Sequence, residues 1–254
     1  MKSGCFACDV VLEADDSEAV ADLFIAHAAE THEWDYPEEA LRNYARNAAE
    51  AVERVSNQTE RLESIGEITV ERVTDERVGD WLELFDHTGF AGNPDWASCY
   101  CRELHEPPGD DMPERLWTEN RAAMVDRLRN RSTVGYLAYV DGTVAGWVNA
   151  SQTSDYALIK LLEPDGPEPE AIVGVSCFVI APPYRRHGVA TALLDHVIAD
   201  APSRGASWVE AYPRNDPGDS DGGHFHGPRS MYDKRGFEPL KEREKDTVVR
   251  LPVA

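Results

Sequence analysis

Val175-Ser176-Cys177-Phe178-Val179-Ile180-Ala181-Pro182-Pro183-Tyr184-Arg185-Arg186-His187-Gly188-Val189-Ala190-Thr191-Ala192-Leu193-Leu194 is the stretch of this chain whose reading decides the fold. An apolar run from Ala171 to Ile180 reads as a strand and stops at a Pro-Pro turn. A basic tripeptide and Gly188 follow, and the spacing then predicts a helix from Val189 to Ala201 with no acid in its first turn. That junction suits a pyrophosphate. Small residues at Gly188 and Ala190 let the backbone approach, successive N–H groups point at the oxygens, and the helix N-terminus adds positive potential. The dipole contributes only about 0.3–1 kcal/mol, so the N–H bonds and guanidinium groups must supply most of the grip. A plain basic surface turn ahead of a helix would carry the same residues, so the neighbouring elements must decide.

Upstream, Ile68 to Val73 alternates as a strand, and Val78 to Phe85 reads as a helix with Trp81, Leu82 and Phe85 inward. Phe90 to Asp111 is irregular, with Pro94, Pro107, Pro108 and the nearby Pro113 as breakers; Glu114 to Arg129 is a second helix. Val134 to Val140 and Thr143 to Ala150 flank Asp141-Gly142, a strong hairpin signal. A Pro-rich acidic loop runs from Leu162 to Glu170. Downstream come a strand from Ser207 to Tyr212, a loop from Pro213 to Gly227, a short helix from Arg229 to Arg235 and a terminal hairpin over about Phe237 to Leu251.

This order, with the loop Arg185 to Ala190 matching R-x-x-G-x-G/A, resembles the GNAT N-acetyltransferase superfamily over about 185 residues. Ala190 stands where the family more often has glycine. Ser230-Met231-Tyr232-Asp233-Lys234-Arg235-Gly236-Phe237 resembles the family's Y-x-k-x-G-F segment. The resemblance implies an α/β (α+β) fold: a mixed, mostly antiparallel splayed sheet flanked by helices. It implies acetyl-CoA as cofactor, with the pantetheine arm along Phe178, Val179 and Ile180 and the diphosphate on Arg185, Arg186, His187, Gly188, Val189 and Ala190. The thioester would sit near Glu210 to Tyr212, with Tyr232 as general acid at the sulfur. Homodimers are frequent in this superfamily.

Direct acetyl transfer to a primary amine makes two demands: the nitrogen must lose its proton, and the departing thiolate needs one. For a lysine-like amine, moving a pKa from about 10.4 to about 7 amounts to roughly 4–5 kcal/mol. Glu210, an acid inside an apolar strand, is the first candidate base, because burial would raise its pKa. His224 and His226 are rivals, since imidazole titrates near neutrality. Trp96, Tyr100 and His226 are candidate substrate contacts, the aromatic pair through cation–π attraction to an amine. Cys177 reads as a small apolar strand residue rather than a nucleophile. Cys99, Cys101 and His105 supply only three metal ligands and read as packing of the substrate loop. A CoA-binding sensor without turnover is the alternative function.

Residues 1–36 form a separate small module, 37–66 a connecting helix and 67–254 the transferase domain. Ser17 to Ala29 has helical spacing, with Val20, Leu23, Phe24 and His27 on one face. The connecting helix starts at Pro37, carries the stripe Leu41, Tyr44, Ala48, Val52 and Val55, runs to about Leu62 and ends at Gly66. Cys5, Cys8, His27 and His32 provide two thiolates and two imidazoles for a structural Zn²⁺, and a module this small needs such a staple. A helical cap with free thiols is the competing reading.

The chain's 254 residues carry 25 basic and 47 acidic side chains, a formal charge of −22. Such a surface repels phosphate backbones and anionic lipid, so neither nucleic acid nor membrane is an expected partner. The acidity reflects either a high-salt setting or attraction of a cationic acceptor, whether a small molecule or a protein amine. With no run of 18 apolar residues and no apolar N-terminal stretch, the expected location is the cytoplasm. Five cysteines, an odd number, argue against a disulfide framework.

Overall fold

The computed structural model describes residues 1–106, 115–157, 171–218, 220 and 222–253. The Pro107, Pro108 and Pro113 breakers and the Leu162 to Glu170 loop lie outside these, as does Glu114, the expected first residue of the second helix. No described helix is long and apolar enough to cross a membrane.

The N-terminal module opens with a two-stranded hairpin, β1 (Lys2–Gly4) against β2 (Val11–Glu13). Helix α1 (Ser17–Thr31) follows, its Asp16 cap accepting from the Ala19 N–H at 2.8 Å. Val20, Ala21 and Phe24 are buried, whereas Leu23, expected inward, is exposed. Helix α2 (Glu38–Arg54) begins after Pro37 as expected but stops about eight residues short of Leu62. Val55 turns to extended backbone and the Ser56 N–H goes to the His87 carbonyl at 2.7 Å, so tertiary pairing replaces the next helical turn. The buried face of α2 is mostly alanine (Ala45, Ala48, Ala49 and Ala51), while Val52 faces solvent. Short side chains let neighbouring backbones approach closely.

The remaining strands form two four-stranded sheets that share one interrupted strand. In the first, β3 (Ile68–Arg72), β4 (Gly135–Val140), β5 (Thr143–Asn149) and β7 (Cys177–Ile180) pair antiparallel in that order. Asp141 and Gly142 both adopt positive φ, as the tight β4–β5 turn demands. In the second, the order is β6 (Ile172–Val175), β8 (Trp208–Ala211), β10 (Thr247–Pro252) and β9 (Glu238–Glu242), with β6 parallel to β8. β6 and β7 are the two halves of the single strand expected over Ala171 to Ile180. They part at Ser176: the first half pairs with β8 and the second with β5. This is the mixed, splayed sheet that the resemblance implies.

Helix α3 (Val78–Glu83) runs into a π turn at Leu84–Thr88 and buries Trp81, Leu84 and Phe85, with Leu82 only partly covered. Helix α4 (Trp117–Arg129) packs on the same side of the first sheet, its Met124, Val125 and Leu128 in one core with Trp147. Helix α5 (Val189–Asp200) covers the other face through Val189, Leu193, Leu194 and Val197. The short helix α6 (Arg229–Asp233) brings Met231 and Tyr232 into that second core. Two cores on either face of β4–β5–β7 thus hold β7 rigidly on one edge and leave its other edge facing the divergence from β8.

Candidate active site

Where β7 leaves β8, a cleft of about 1030 Å³ opens. One end is the turn into α5. Gly188 takes φ +87° as the helix N-cap, a left-handed conformation natural to glycine, and no side chain caps the first turn. Arg186 is also left-handed, at φ +66°, a strained value for a side chain of its size. Arg185, Arg186, Gly188, Val189, Ala190 and Thr191 all line the cleft. The first-turn N–H groups of α5 precede its first internal acceptor, the Gly188 carbonyl that takes the Ala192 N–H at 2.9 Å. His187 is turned away from this end, its Nε2 on the Leu62 carbonyl at 2.8 Å. Arg185 folds back, and its Nε donates to the Ile180 carbonyl at 2.9 Å.

Phe178, Val179 and Ile180 also line the cleft, but their edge is already engaged. The Phe178 N–H donates to the Phe225 carbonyl at 2.7 Å, and the Ile180 carbonyl holds Arg185. His226 sits beside Phe225 with its Nδ1 on the Ser176 carbonyl. A carbonyl can only accept, so Nδ1 carries the proton and Nε2 keeps a lone pair. Burial pushes the imidazole down to about 4, which leaves it neutral at neutral pH.

Tyr232 lies directly behind this wall. It is fully buried, and its hydroxyl donates to the His226 carbonyl at 2.6 Å. Burial, reinforced by the nearby Cys177 thiol, pushes the phenol upward, so it stays protonated. Gly227 lines the cleft at φ +78°, and a Cβ there would come within 2.8 Å of the Tyr232 hydroxyl. Gly227 thus sits against the Tyr232 hydroxyl, while Tyr232 itself does not line the cleft. That glycine stands in the Gly-His-Phe-His-Gly run, the one signal by which it was readable.

Glu210 is not at the cleft. It is 2% exposed; its Oε2 accepts from Arg250 Nε at 2.8 Å and its Oε1 from the Tyr212 hydroxyl at 2.8 Å. Both oxygens are therefore committed inside the second sheet.

The far end of the cleft is built by the irregular segment before α4. Trp96, 44% exposed, meets Phe225 edge-on at 5.7 Å, and Asp95, Cys99, Cys101 and Glu103 line the wall. Tyr100, expected beside them, points the opposite way. Its left-handed backbone (φ +49°) turns the ring into the core against Trp81 and Phe85, where the hydroxyl donates to Asp86 at 2.6 Å. The Cys101 thiol donates to the Cys177 sulfur at 3.1 Å. His105 is drawn away from both cysteines into a buried polar cluster, with Nδ1 on the Asp155 carbonyl at 3.1 Å and Nε2 receiving Asn149 at 3.0 Å. Tyr44 of α2, which the sequence marks only as part of an apolar stripe, also lines the cleft.

Away from the cleft, Cys5, Cys8, His27 and His32 do converge, with all four ligand atoms within 4.8 Å of one another. Cys5 Sγ to His32 Nε2 and Cys8 Sγ to His27 Nε2 are each 3.4 Å. Zn–S near 2.3 Å and Zn–N near 2.0 Å give an S–N edge of about 3.5 Å in a regular tetrahedron. His27 Nδ1 contacts the Thr31 hydroxyl at 3.3 Å, leaving Nε2 to the quartet. Among the described residues no other such group gathers.

No curated protein matches the chain. Solved structures it resembles include the PaiA N-acetyltransferase of Thermoplasma acidophilum in complex with coenzyme A, at 14% identity and TM-score 0.46, covering 73% of this chain and 99% of that one. An N-acetyltransferase of Staphylococcus aureus Mu50 is 13% identical with TM-score 0.46, covering 74% and 100%. YncA, a putative acetyltransferase of Salmonella typhimurium with acetyl-CoA, is 13% identical with TM-score 0.44, covering 74% and 94%. The family model described as "Acetyltransferase (GNAT) family" matches residues 94–237, more than half of the chain and the whole of the Arg185–Ala190 turn, and the chain belongs to that family.

Proposed function

We propose that this protein moves an acetyl group from acetyl-CoA directly to a primary amine. The observation that carries the reading is the α5 turn, where Gly188 in left-handed backbone exposes an uncapped, acid-free helix start to the cleft beside Arg185 and Arg186. Diphosphate chemistry fits that end. The acyl end then falls near Ser176, Cys177 and Gly227, between the diphosphate turn and the Trp96 wall. His187, held on Leu62, contributes position rather than contact.

In this reading the acceptor enters past Trp96, Asp95 and Glu103, an aromatic and acidic approach suited to a cation. The amine attacks the thioester carbonyl carbon; as the C–N bond forms and the C–S bond breaks, the nitrogen becomes acidic and sheds a proton. We assign that proton to Nε2 of neutral His226, directly or through water, rather than to Glu210, whose carboxylate is spent on Arg250 and Tyr212. Tyr232, protonated and one bare glycine away, is the assigned acid for the leaving thiolate. To reach it, the Tyr232 hydroxyl must exchange its bond to the His226 carbonyl for the sulfur. We further propose that the N-terminal quartet holds a structural Zn²⁺.

Tyr232→Phe decides between an enzyme and a CoA-binding sensor. Turnover should fall about 10²-fold or more while calorimetry returns an unchanged CoA affinity. Equal turnover in the two proteins would remove Tyr232 from the reaction. Absence of heat on titrating acetyl-CoA into the unmodified chain would remove the function. An amine-library thermal-shift screen with acetyl-CoA present identifies the acceptor.

A further inference from the structure

We propose that the metal quartet belongs functionally to the acceptor end of the cleft, with α2 acting as the strut between them. The inference rests on the Zn²⁺ reading and on the acceptor lying beside Trp96.

The apolar cluster around the quartet is small: its buried members are Cys5, Ala21, Phe24 and Ala45, and one of these is a quartet ligand. An aromatic pile leads out of the quartet. The His32 ring stacks on Trp34 at 4.3 Å, Trp34 on Phe6 at 4.5 Å, and Phe6 meets Tyr44 edge-on at 5.1 Å. Phe6 lies between the two quartet cysteines in sequence, and Tyr44 lies on α2 and lines the cleft. Through this pile the quartet is linked to the cleft wall.

The other end of α2 grips the acceptor segment. Ala51 and Val55 pack with Phe90, Ala91 and Ala97. Arg54 donates to the Ala97 carbonyl at 3.3 Å and to the Tyr100 hydroxyl at 3.1 Å, and lies over the Trp117 ring at 4.4 Å. Glu50 receives the Ser17 hydroxyl of α1 at 2.8 Å and the Trp117 indole N–H of α4 at 2.7 Å, tying all three helices together. By contrast, the α5 turn and the Pro182–Tyr184 turn before it meet the segment after α2 at Leu62, whose carbonyl takes His187 Nε2 at 2.8 Å and whose N–H donates to the Pro183 carbonyl at 3.0 Å. Loss of the metal should therefore loosen residues 90–101 and leave the CoA turn in place.

Hydrogen exchange on the full chain, zinc-loaded and after chelation, tests this without an acceptor. Metal analysis should give one zinc per chain. On its removal, protection across 90–101 should fall about tenfold, while protection across 189–197 and the CoA dissociation constant stay within about twofold. Arg54→Met, which keeps the quartet, should loosen 90–101 in the same way with zinc retained. One zinc per chain with unchanged exchange at 90–101 in both experiments overturns the inference and leaves the metal site standing. Equal loss of protection at 189–197 also overturns it, since the metal would then serve the whole fold. No bound zinc sinks the metal reading and this one with it. Absence of CoA binding sinks the acetyl-transfer reading, and the exchange result still decides the coupling.

Discussion

Glu210→Gln separates chemistry from architecture more sharply than any other single substitution. Glutamine keeps the volume and a carbonyl oxygen for Tyr212, but it removes the charge that compensates Arg250, whose side chain is only 12% exposed. Removing one partner of a buried pair costs about 3–5 kcal/mol, and the retained hydrogen bonding puts this case near about 3. For a chain of this size each kcal/mol moves Tm by about 2–4 °C, so the expected fall is about 6–12 °C. Scanning calorimetry reads that fall. Turnover at saturating acetyl-CoA, measured well below the transition on the amine returned by the screen, should stay within about threefold, against the roughly 10²–10⁴-fold loss expected of a missing general base. Replacing both partners, Glu210→Met with Arg250→Leu, should recover most of the lost stability, because no charge is then left alone. An unchanged Tm with turnover down a hundredfold or more would refute the structural assignment and restore Glu210 as the base.

Three further outcomes are expected. Gly188→Ala meets no atom within 4 Å but must hold φ +87°, so it should cost about 1–2 kcal/mol by urea unfolding and weaken CoA binding by calorimetry. His226→Gln should lower turnover about 10²-fold with CoA affinity retained, and an unchanged rate would free His226 of the base role. His105 is buried and held down to about 4 from an ordinary 6.5, by burial first and the Arg127 charge second. Between those values the unfolded chain binds the proton and the folded one does not, so this contribution is whole above about pH 6.5 and is lost as the pH falls toward 4. Urea midpoints at pH 7 and pH 5 should differ by a margin that His105→Gln reduces.

The parts legible in the sequence are those set by local chemistry. The α5 turn could be read because glycine, small residues and arginines are all needed within six positions, and the β4–β5 turn because Asp141-Gly142 is chemically specific. The Cys5–Cys8–His27–His32 set was legible for the same reason, as ligand spacing along one chain. What escaped was decided by partners far away in sequence. The break falls at Ser176, the one hydroxyl residue in the run from Ala171 to Ile180, but a single serine does not end a strand, and the break exists because β8 claims one half and β5 the other. Glu210 sits in an apolar strand in either role; only Arg250, two strands' worth of chain later, decides which. Tyr100 reads as a substrate aromatic by its residue type and its place in the irregular segment, and nothing in the sequence marks the left-handed backbone that turns its ring into the core. The apolar stripe of α2 continues past Arg54 at Val55, so the sequence predicts a longer helix, while the Ser56 link to His87 that ends it is tertiary.

On the acetyl-CoA reading, the Phe225 carbonyl resting on the Phe178 N–H means that an arriving cofactor arm swaps with a resident rather than settling on vacant ground. One amide contact is surrendered for each one made, so that stretch should add little net affinity. Tightness must then come from the anionic head at the α5 turn, and a truncated thioester lacking the nucleotide should be handled poorly even if its acyl end fits perfectly. Release after turnover is eased by the same token, because the loop is on hand to take back its place.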